Sequence, residues 1–426
     1  MVLKNYGHYL LYLVFFSLAF HHYPEVYIGI AYLSVTDILI YGSVLYYIFN
    51  VKIYYRALPI ILFLFSCVSL IILSSFLSGE IDHRGTVKLF SYLKTSISFA
   101  IITLLIMRLD NFSKIENILI FIILGGLIGM ISYWNEYLFI GQYYKADTMY
   151  DFWNTKNAGI FYENYAVGEF ALIMTSFIFY LLINKKSWSL KFILLVTLIL
   201  SISATIGSFS RGGQLSLFFT IITFIIMYIF FSDLSLYKKI LFSTSIFLIF
   251  VILLLIINYL GIFKLDIIVN RLLTLTRPTE NYEYSMGMRL QIFINGWEMI
   301  KDNLLIGVGP QQFQHHVLDY GITDRLFKPR DAHNTYLKIF AEHGIFSFIF
   351  YLTLILHILF KSLQDFFKSR KNKNEKLKLF YLSFISLNIG LIFLSLTVDR
   401  IFYQHIFLIY ALYYGVTLNR AFKFNS

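Results

Sequence analysis

The chain has 426 residues, of which 58% are hydrophobic and only 14% are charged, and its mean hydropathy is +0.70. A chain so apolar and so long is not expected to fold around one core in water, so the composition indicates an integral membrane protein. The net charge of +11 is therefore interpreted first as membrane topology and not as nucleic-acid binding, and the single cysteine, Cys67, excludes a disulfide framework and a cysteine-rich metal site.

Apolar runs of about 20 residues, which is the length of a membrane-crossing helix, recur along the whole chain. They predict an all-α polytopic membrane protein in which residues 1–426 form one integral membrane domain. About twelve spans are expected, near residues 6–23, 27–49, 58–78, 90–107, 115–133, 165–184, 189–207, 213–231, 239–259, 337–360, 378–397 and 402–418.

The distribution of Lys and Arg predicts the orientation of these spans. An even number of spans places both termini on one side, and the short loops on that side carry many basic residues, among them Lys185, Lys186 and a dense cluster between Lys361 and Lys378. By the positive-inside rule this side is the cytoplasm. We interpret the segment 361–378 as a solvated loop that determines topology, with a contact to anionic lipid headgroups left open and without a nucleic-acid site.

Two longer loops lie on the opposite, periplasmic side in this topology. One covers about residues 134–164, and the other is a large, partly helical loop at 261–334, between the ninth and tenth spans. Loops of this length usually carry function, so candidate functional residues are expected in them or beside them.

Arg211 is the one charged residue between Phe192 and Ser232, and it stands in the sequence Ser210-Arg211-Gly212-Gly213. An arginine costs roughly 2.5 to 3.5 kcal/mol at the middle of a membrane helix, so it is expected at an interface or facing a polar cavity. The glycines permit a sharp break before the eighth span and let N–H groups at its start point at an anion. A guanidinium there suits a phosphate; a loop arginine that snorkels to the interface is the alternative.

The large loop contains a predicted helix that begins near Gly287. Arg289 would lie in its first turn, where a cation is unfavourable for the helix dipole, and this hints at an anionic partner. The turn Gly307–Pro310 lacks the spacing of a phosphate-binding loop, so we interpret it as an ordinary turn. The helix could lie on the membrane surface, because it has an apolar stripe at Ile292, Phe293, Trp297 and Ile300.

His333 lies where the polar loop gives way to the tenth span. Asn334 can cap that helix, which places His333 immediately outside it at the membrane surface. An imidazole at this position is a candidate general base, although a lone histidine is more often a polar loop residue. Structural or interfacial roles are expected for the other histidines of this region, which are His315, His316 and His343.

Four stretches together resemble the O-antigen ligase and polymerase superfamily of bacterial membrane glycosyltransferases. They are residues 156–164, residues 210–213, Arg289–Trp297 with Gly307–Pro310, and His333–Leu337 with Glu342–Ile345. Their order, spacing and topology agree with the family from about residue 150 to residue 360. The first stretch departs from it, with Lys156 in place of an arginine and Tyr162 in place of a small or proline-containing turn.

The resemblance implies a metal-independent, inverting transfer of a glycan from an undecaprenyl-diphosphate carrier to an acceptor sugar hydroxyl. The reaction would occur at the periplasmic face of the bacterial inner membrane, in lipopolysaccharide or other surface polysaccharide biosynthesis. The implied partners are the donor, the glycan acceptor and membrane lipids, with no cofactor, no metal ion and no nucleic acid. The implied roles are donor diphosphate binding by Arg211, Gly212, Gly213, Arg289 and Lys156; catalysis by His333, Arg211 and Arg289; and support of the acceptor by Asn334 and Tyr336.

Several alternatives remain open from the sequence. The acceptor is the lipid A core for a ligase, or a carrier-linked repeat unit for an O-antigen, capsule or exopolysaccharide polymerase. A flippase for lipid-linked sugars would need two related halves, which are not detected, and a scaffold would leave the arginines unexplained. A metal site would use Glu80 and Asp82, although a solvated loop is the simpler interpretation. Asp399 and Arg400 would support the site or pair with each other.

Overall fold

A computed structural model describes most of the chain. The described residues are 7–20, 25–27, 32–48, 55–139, 164–208, 210–231, isolated positions from 235 to 251, 280–320, 331–419 and 421–424. The helices are α1 (Gly7–Phe16), α2 (Val35–Ile48), α3 (Leu58–Ser78), α4 (His83–Ile106), α5 (Phe112–Phe139), α6 (Asn164–Asn184), α7 (Trp188–Gly207), α8 (Arg211–Phe231), α9 (Glu280–Asp302), α10 (Phe313–His316), α11 (Thr335–Lys371), α12 (Glu375–Ser395), α13 (Gln404–Leu418) and α14 (Ala421–Phe424). Strands β1 (Glu25–Tyr27) and β2 (Tyr32–Ser34) pair antiparallel.

Eight helices in the described ranges are long and apolar enough to cross a membrane, namely α3 to α8, α11 and α12. They confirm an all-α polytopic membrane protein, while the predicted count of twelve spans is not confirmed. The first, second and last predicted spans correspond to helices of 10, 14 and 15 residues. Most of the predicted ninth span, 239–259, lies outside the described residues.

The second predicted span was wrong at its start, because Tyr27 and Tyr32–Ser34 form the hairpin and the helix begins only at Val35. A capping box formed by Ser34 and Asp37 explains why α2 begins at Val35. The Asp37 N–H donates to Ser34 Oγ at 3.3 Å, and the Ser34 N–H donates to Asp37 Oδ2 at 2.8 Å. Hydropathy alone does not detect such a reciprocal cap.

The helix ends form two faces, here called the loop face and the basic face. At the loop face, the end of α3 and the start of α4 meet the large loop, where Pro310 packs on Gly85. At the basic face, the Asn419 amide donates to the carbonyls of Ile106 and Leu109 at 3.3 and 2.7 Å. The basic face carries the cluster that includes Lys185, Lys186, Lys368, Arg370, Lys371, Lys373 and Lys376.

The basic segment was expected to be a loop from 361 to 378, and this is wrong. Helix α11 continues to Lys371 and α12 begins at Glu375, so the turn contains only Asn372–Asn374. The extension of α11 buries Ser362, Asp365, Phe366 and Ser369. The helix therefore continues past the apolar run because one of its faces still packs against protein.

Small residues allow the central helices to pack closely. A Cβ atom at Gly390 of α12 would overlap Thr220 Oγ1 of α8, and a Cβ atom at Gly415 of α13 would meet Ile106 of α4 at 2.5 Å. Such contacts favour helix association within a membrane, where there is no hydrophobic gain from burying one apolar helix against another. Helix α12 consequently lies among α6, α8 and α11.

A buried carboxylate joins the beginning of the chain to its last long helix. Asp37 on α2 is fully buried and accepts hydrogen bonds from Lys94 Nζ at 2.8 Å and from Gln404 Nε2 at 2.7 Å. Ser34 Oγ also donates to it at 2.9 Å. A buried charge with several donors is compensated, so Asp37 holds α2, α4 and α13 together at the loop face.

Helix α11 is broken at Gly344, where φ is 74° and ψ is 179°. The large loop bonds to its backbone at this break. The N–H groups of Val308 and Gly309 donate to the carbonyls of Ala341 and Glu342, each at 2.9 Å. A Cβ atom at Gly344 would overlap the Leu305 carbonyl oxygen, so only glycine fits. The turn Gly307–Pro310 is thus a structural turn whose N–H groups at Val308 and Gly309 are already used.

Candidate active site

Arg211 begins α8 at the loop face, and its position is set by the two glycines that follow. A Cβ atom at Gly212 would overlap Thr397 Oγ1, and one at Gly213 would lie 3.2 Å from the Gly168 Cα of α6. The Gly213 N–H donates to Ser210 Oγ at 3.3 Å. Both glycines lie in the first turn of α8 and let that helix pack closely, and the break between the two helices comes before them, after Gly207. Their contact with a diphosphate remains a prediction.

Arg289 lies on α9, and its side chain is exposed. The helix starts at Glu280 and not near Gly287, so Arg289 lies roughly two and a half turns inside it and the helix-dipole argument does not apply. Although part of Arg289 is exposed, neighbouring protein atoms desolvate its guanidinium enough to lower its pKa, and the nearby Arg211 cation lowers that pKa further. No carboxylate in the described part of the chain pairs with Arg289. The fold therefore brings two predicted site cations within electrostatic range of each other.

The predicted apolar stripe of α9 is divided between two environments. Ile292 and Ile300 are buried against α11 and α10, whereas Phe293 and Trp297 are 48% and 46% exposed. Gly296 lies on the buried side, where a Cβ atom would be 3.1 Å from Leu337 Cδ2. The stripe does not form one exposed surface as expected, because its inner half anchors α9 to the start of α11.

His333 immediately precedes α11 and has an exposed side chain. Its φ of 47° is in the left-handed region, which His tolerates better than most residues. The cap predicted at Asn334 is present, since Asn334 Oδ1 accepts hydrogen bonds from the N–H groups of Tyr336 and Leu337 at 2.9 and 3.0 Å. The backbone around His333 is thus held in one conformation.

Thr335 fixes the start of α11 to the segment 396–403, which follows α12. Its hydroxyl donates to the Val398 carbonyl at 2.7 Å and accepts a hydrogen bond from the Arg400 N–H at 2.8 Å. Because Thr397 of the same segment packs on Gly212, this segment connects the neighbourhoods of Arg211 and His333.

A buried charge cluster lies at the start of α11, and its centre is Lys338, which was not predicted from the sequence. Lys338 Nζ is 2.7 Å from Asp399 Oδ2 and 2.9 Å from Asp331 Oδ1. Burial opposes the charged form of Asp399, but Lys338 outweighs it, with help from Lys88, and lowers the pKa of Asp399 to about 2. Burial, and then repulsion by Asp399, raise the pKa of Asp331.

A second buried cluster forms around Arg400 of the segment 396–403. Glu169 of α6 contacts the Arg400 guanidinium at 2.8 Å and His405 Nε2 at 2.7 Å. The Arg400 guanidinium also stacks over the Tyr403 ring at 4.3 Å. One alternative expected Asp399 and Arg400 to pair with each other, and this is wrong. Asp399 pairs with Lys338, and Arg400 pairs with Glu169. The missed signal was Glu169, a lone carboxylate within a predicted span.

Tyr336, predicted to support the acceptor, lines a small cavity between helices. The other lining residues include Ser395, Arg400, Tyr351 and Tyr410. The cavity adjoins the Arg400 cluster, and the proposed role of Tyr336 toward an acceptor remains a prediction. Lys156 and the rest of the first motif up to residue 163 lie outside the described residues.

The two carboxylates of the alternative metal site have separate partners. Glu80 Oε2 lies 2.5 Å from His316 Nε2. Asp82 caps α4 by accepting a hydrogen bond from the Gly85 N–H at 2.6 Å. Within the ranges that the structure describes, no group of three or more His, Cys, Asp or Glu side chains is arranged to hold a metal ion.

Comparison with known families adds an independent observation. Residues 196–352 match the family described as O-antigen ligase. This range contains Arg211, Arg289 and His333, but not the first motif or the segment 396–403. No curated protein matches the chain. This match supports the resemblance of the chain to the O-antigen ligase and polymerase superfamily, whose members are glycosyltransferase-like enzymes.

Proposed function

We propose that this protein transfers a glycan from an undecaprenyl-diphosphate carrier to a sugar hydroxyl of an acceptor, at the loop face. The family match supports a function of the O-antigen ligase or polymerase type. The single observation that carries the finer proposal is the convergence of Arg211 and Arg289, from different helices, within electrostatic range. Two neighbouring cations repel each other, and a dianionic ligand such as a diphosphate relieves that repulsion.

The arginines would act by electrostatic stabilisation of the leaving group. When the anomeric carbon–oxygen bond breaks, negative charge develops on the carrier diphosphate, and preorganised cations stabilise it. The packing supports preorganisation, because Gly212 and Gly213 fix the start of α8 and Gly296 seats α9 on α11. In our proposal the two arginines stabilise the leaving group without a metal ion.

His333 would activate the acceptor. Its exposed imidazole accepts the proton of the acceptor hydroxyl while that oxygen forms a bond to the anomeric carbon, and the carrier diphosphate leaves with the electron pair of the broken bond. Attack opposite the leaving group inverts the anomeric carbon. The hydrogen bonds of Asn334 and Thr335 fix the backbone next to His333. A fixed backbone suits a base that must be positioned between the acceptor and the donor.

The loop face would be periplasmic. Arg211, Arg289 and His333 lie at the face opposite to the basic face, which carries the densest group of lysines. The positive-inside rule assigns that basic face to the cytoplasm of the inner membrane. The proposed site therefore faces the compartment in which a finished lipid-linked glycan is available.

For the acceptor we propose the lipid A core, because the matching family is described as O-antigen ligase. A polymerase would use the same donor with a carrier-linked repeat unit as acceptor. Purified protein in proteoliposomes, supplied with the carrier-linked donor and one acceptor at a time, separates these two activities. Transfer to the carrier-linked repeat alone would replace the ligase proposal with the polymerase.

The same assay tests the arginine pair. Arg211→Lys and Arg289→Lys keep the charge but lose bidentate geometry, so each should lose roughly 10²- to 10³-fold in transfer. Lys301→Gln is the matched control on α9, because Lys301 is exposed and pairs only with Glu298 in the described region. Full activity in both arginine variants would refute the pair. Activity lost with EDTA and restored by Mg²⁺ would favour a metal mechanism.

A further inference from the structure

An open cavity of about 660 Å³ lies at the basic face, far from the proposed active site. It is formed where the turn before α5, the turn before α12 and the short helix α14 come together. The residues that line it are Asp110, Asn111, Phe112, Lys373, Asn374, Glu375, Lys376, Leu377, Ala421 and Phe422.

The charges around this cavity leave an excess of cations. Each lining carboxylate already has a lysine partner that does not line the cavity: Asp110 pairs with Lys114 at 2.8 Å, and Glu375 pairs with Lys378 at 2.6 Å. The lining Lys373 is exposed and has no ion pair within the described ranges. The two lining carboxylates are therefore neutralised by lysines that do not line the cavity, and the lining lysines give the cavity a net positive charge.

Lys376, the second lining lysine, is only weakly compensated. Its Nζ atom is 3.7 Å from Glu116 Oε1. Glu116 is itself paired with Lys185, and it accepts a hydrogen bond from the Tyr180 hydroxyl at 3.0 Å. One carboxylate shared between two lysines does not neutralise both, so Lys376 can contribute its charge to an anion in the cavity.

The remaining polar side chains that line the cavity are the amides of Asn111 and Asn374, which offer hydrogen-bond donors. Asn111 Oδ1 accepts from the Ser113 N–H at 2.9 Å, and Asn374 Oδ1 accepts from the Leu377 N–H at 3.0 Å. The side-chain carbonyls are thus used as caps, and the amino groups of both amides are left to donate. Two ammonium groups and two amide donors form a set that matches the oxygens of a phosphate.

The rest of the lining is apolar. The Phe112 and Phe422 rings meet edge to face at 5.4 Å, and Leu377 is buried beside them. The cavity lies at the ends of α4, α5, α11 and α12, which is where lipid headgroups meet membrane-crossing helices. A polar mouth above an apolar wall suits an amphiphile better than a soluble ion.

We propose that this cavity binds the phosphate headgroup of an anionic phospholipid, with Lys373 and Lys376 holding the phosphate and the wall of Phe112 and Phe422 contacting the upper part of the acyl chains. Basic pockets between helices at this face of membrane proteins are known to bind such headgroups. The proposal is independent of the glycosyltransferase function, because none of these residues belongs to the loop face.

The test uses native mass spectrometry of the full-length protein in detergent, titrated with phosphatidylglycerol or with phosphatidylcholine. Lys373→Gln/Lys376→Gln removes the two lining charges. Lys368→Gln/Lys371→Gln is the matched control, because it removes two exposed charges from the same face but outside the cavity. The cavity variant should bind phosphatidylglycerol roughly thirtyfold more weakly, and the control should stay within about twofold of the wild type.

Three results would overturn the proposal. An equal loss in both double variants would show that the face attracts lipid only through its overall charge. Equal binding of phosphatidylcholine and phosphatidylglycerol by the wild type would show that the cavity does not select an anionic headgroup. Competition by inorganic phosphate at the same concentration as the lipid would assign the cavity to a soluble anion instead.

Discussion

Replacing Lys338 by methionine tests whether the buried charge cluster at the start of α11 stabilises the protein. Lys338 is 3% exposed and holds Asp331 and Asp399 at 2.9 and 2.7 Å, with Glu342 at 3.9 Å. Methionine has a similar length but no charge. Lys338→Met therefore leaves three carboxylates close together, and we expect a large loss of stability at neutral pH.

Two independent arguments give the size of this loss. Removing one partner of a buried ion pair costs about 3 to 5 kcal/mol. Separately, the cluster lowers the pKa of Asp399 from 3.8 to about 2, and a difference of roughly 2 units corresponds to about 2 to 3 kcal/mol at pH 7. The two values agree in scale, so we expect a cost of about 3 kcal/mol.

The pH dependence has a definite sign. The lowered pKa of Asp399 contributes stability that is present above pH 4 and is lost as the pH falls toward 2. Without Lys338, burial and the neighbouring carboxylates disfavour the charged form of Asp399 and only Lys88 remains as a cation that favours it, so we expect the pKa of Asp399 to rise. As the pH falls from 7 to 5, Asp399 of the variant becomes protonated and the variant regains stability. The wild type does not gain stability from Asp399 over this pH range.

Thermal unfolding in detergent, followed by intrinsic fluorescence at pH 7 and pH 5, measures both effects. Lys301→Met is the control, because the exposed pair of Lys301 with Glu298 contributes at most about 0.5 kcal/mol. Lys338→Met should unfold well below the control at pH 7, and the gap should narrow at pH 5. Equal unfolding temperatures for the two variants, or a gap that does not change with pH, would refute the reasoning.

Three further predictions follow from the fold and the proposed site. His333→Asn keeps a residue that tolerates the left-handed backbone and should lose roughly 10²- to 10⁴-fold in transfer while carrier binding in a filter assay persists; an unchanged rate would remove His333 from catalysis. Gly344→Ala should cost at least about 1 to 3 kcal/mol in thermal unfolding, because the backbone is strained and the methyl group overlaps the Leu305 carbonyl. In a Cys67-free background, the exposed positions His315→Cys and Asn372→Cys report the topology. An impermeant maleimide should label His315→Cys from the periplasmic side and Asn372→Cys from the cytoplasmic side, and the reverse pattern would invert the topology.

Local signals in the sequence were sufficient for part of the site. Asn334 could be recognised as a cap because capping depends on neighbouring residues only. Arg211 could be recognised because a single charge in a long apolar stretch is costly wherever it lies. The start of α9 was missed because the residues from Glu280 to Gly287 have no apolar periodicity, and hydropathy does not detect a polar helix.

The buried clusters could not be predicted, for a different reason. Lys338 pairs with Asp399, and Glu169 pairs with Arg400, so each partner lies on a distant segment of the chain. The sequence shows the cost of each charge but not the partner that compensates it. For the same reason, the close packing of Gly212 and Gly213 could not be predicted, since their close neighbours, Thr397 and Gly168, are brought to them only by the tertiary fold.

The carboxylate of Asp37 has a consequence for how the protein is made. Lys94 and Gln404 both donate to it, but Gln404 is 367 residues farther along the chain. At about 5 to 20 residues per second, the ribosome needs roughly 20 to 70 s to reach Gln404 after Asp37. During that interval the growing chain contains Asp37 without Gln404, which is the last of its donors to be made. A nascent chain that stops before α13 is therefore expected to remain a substrate for membrane proteases.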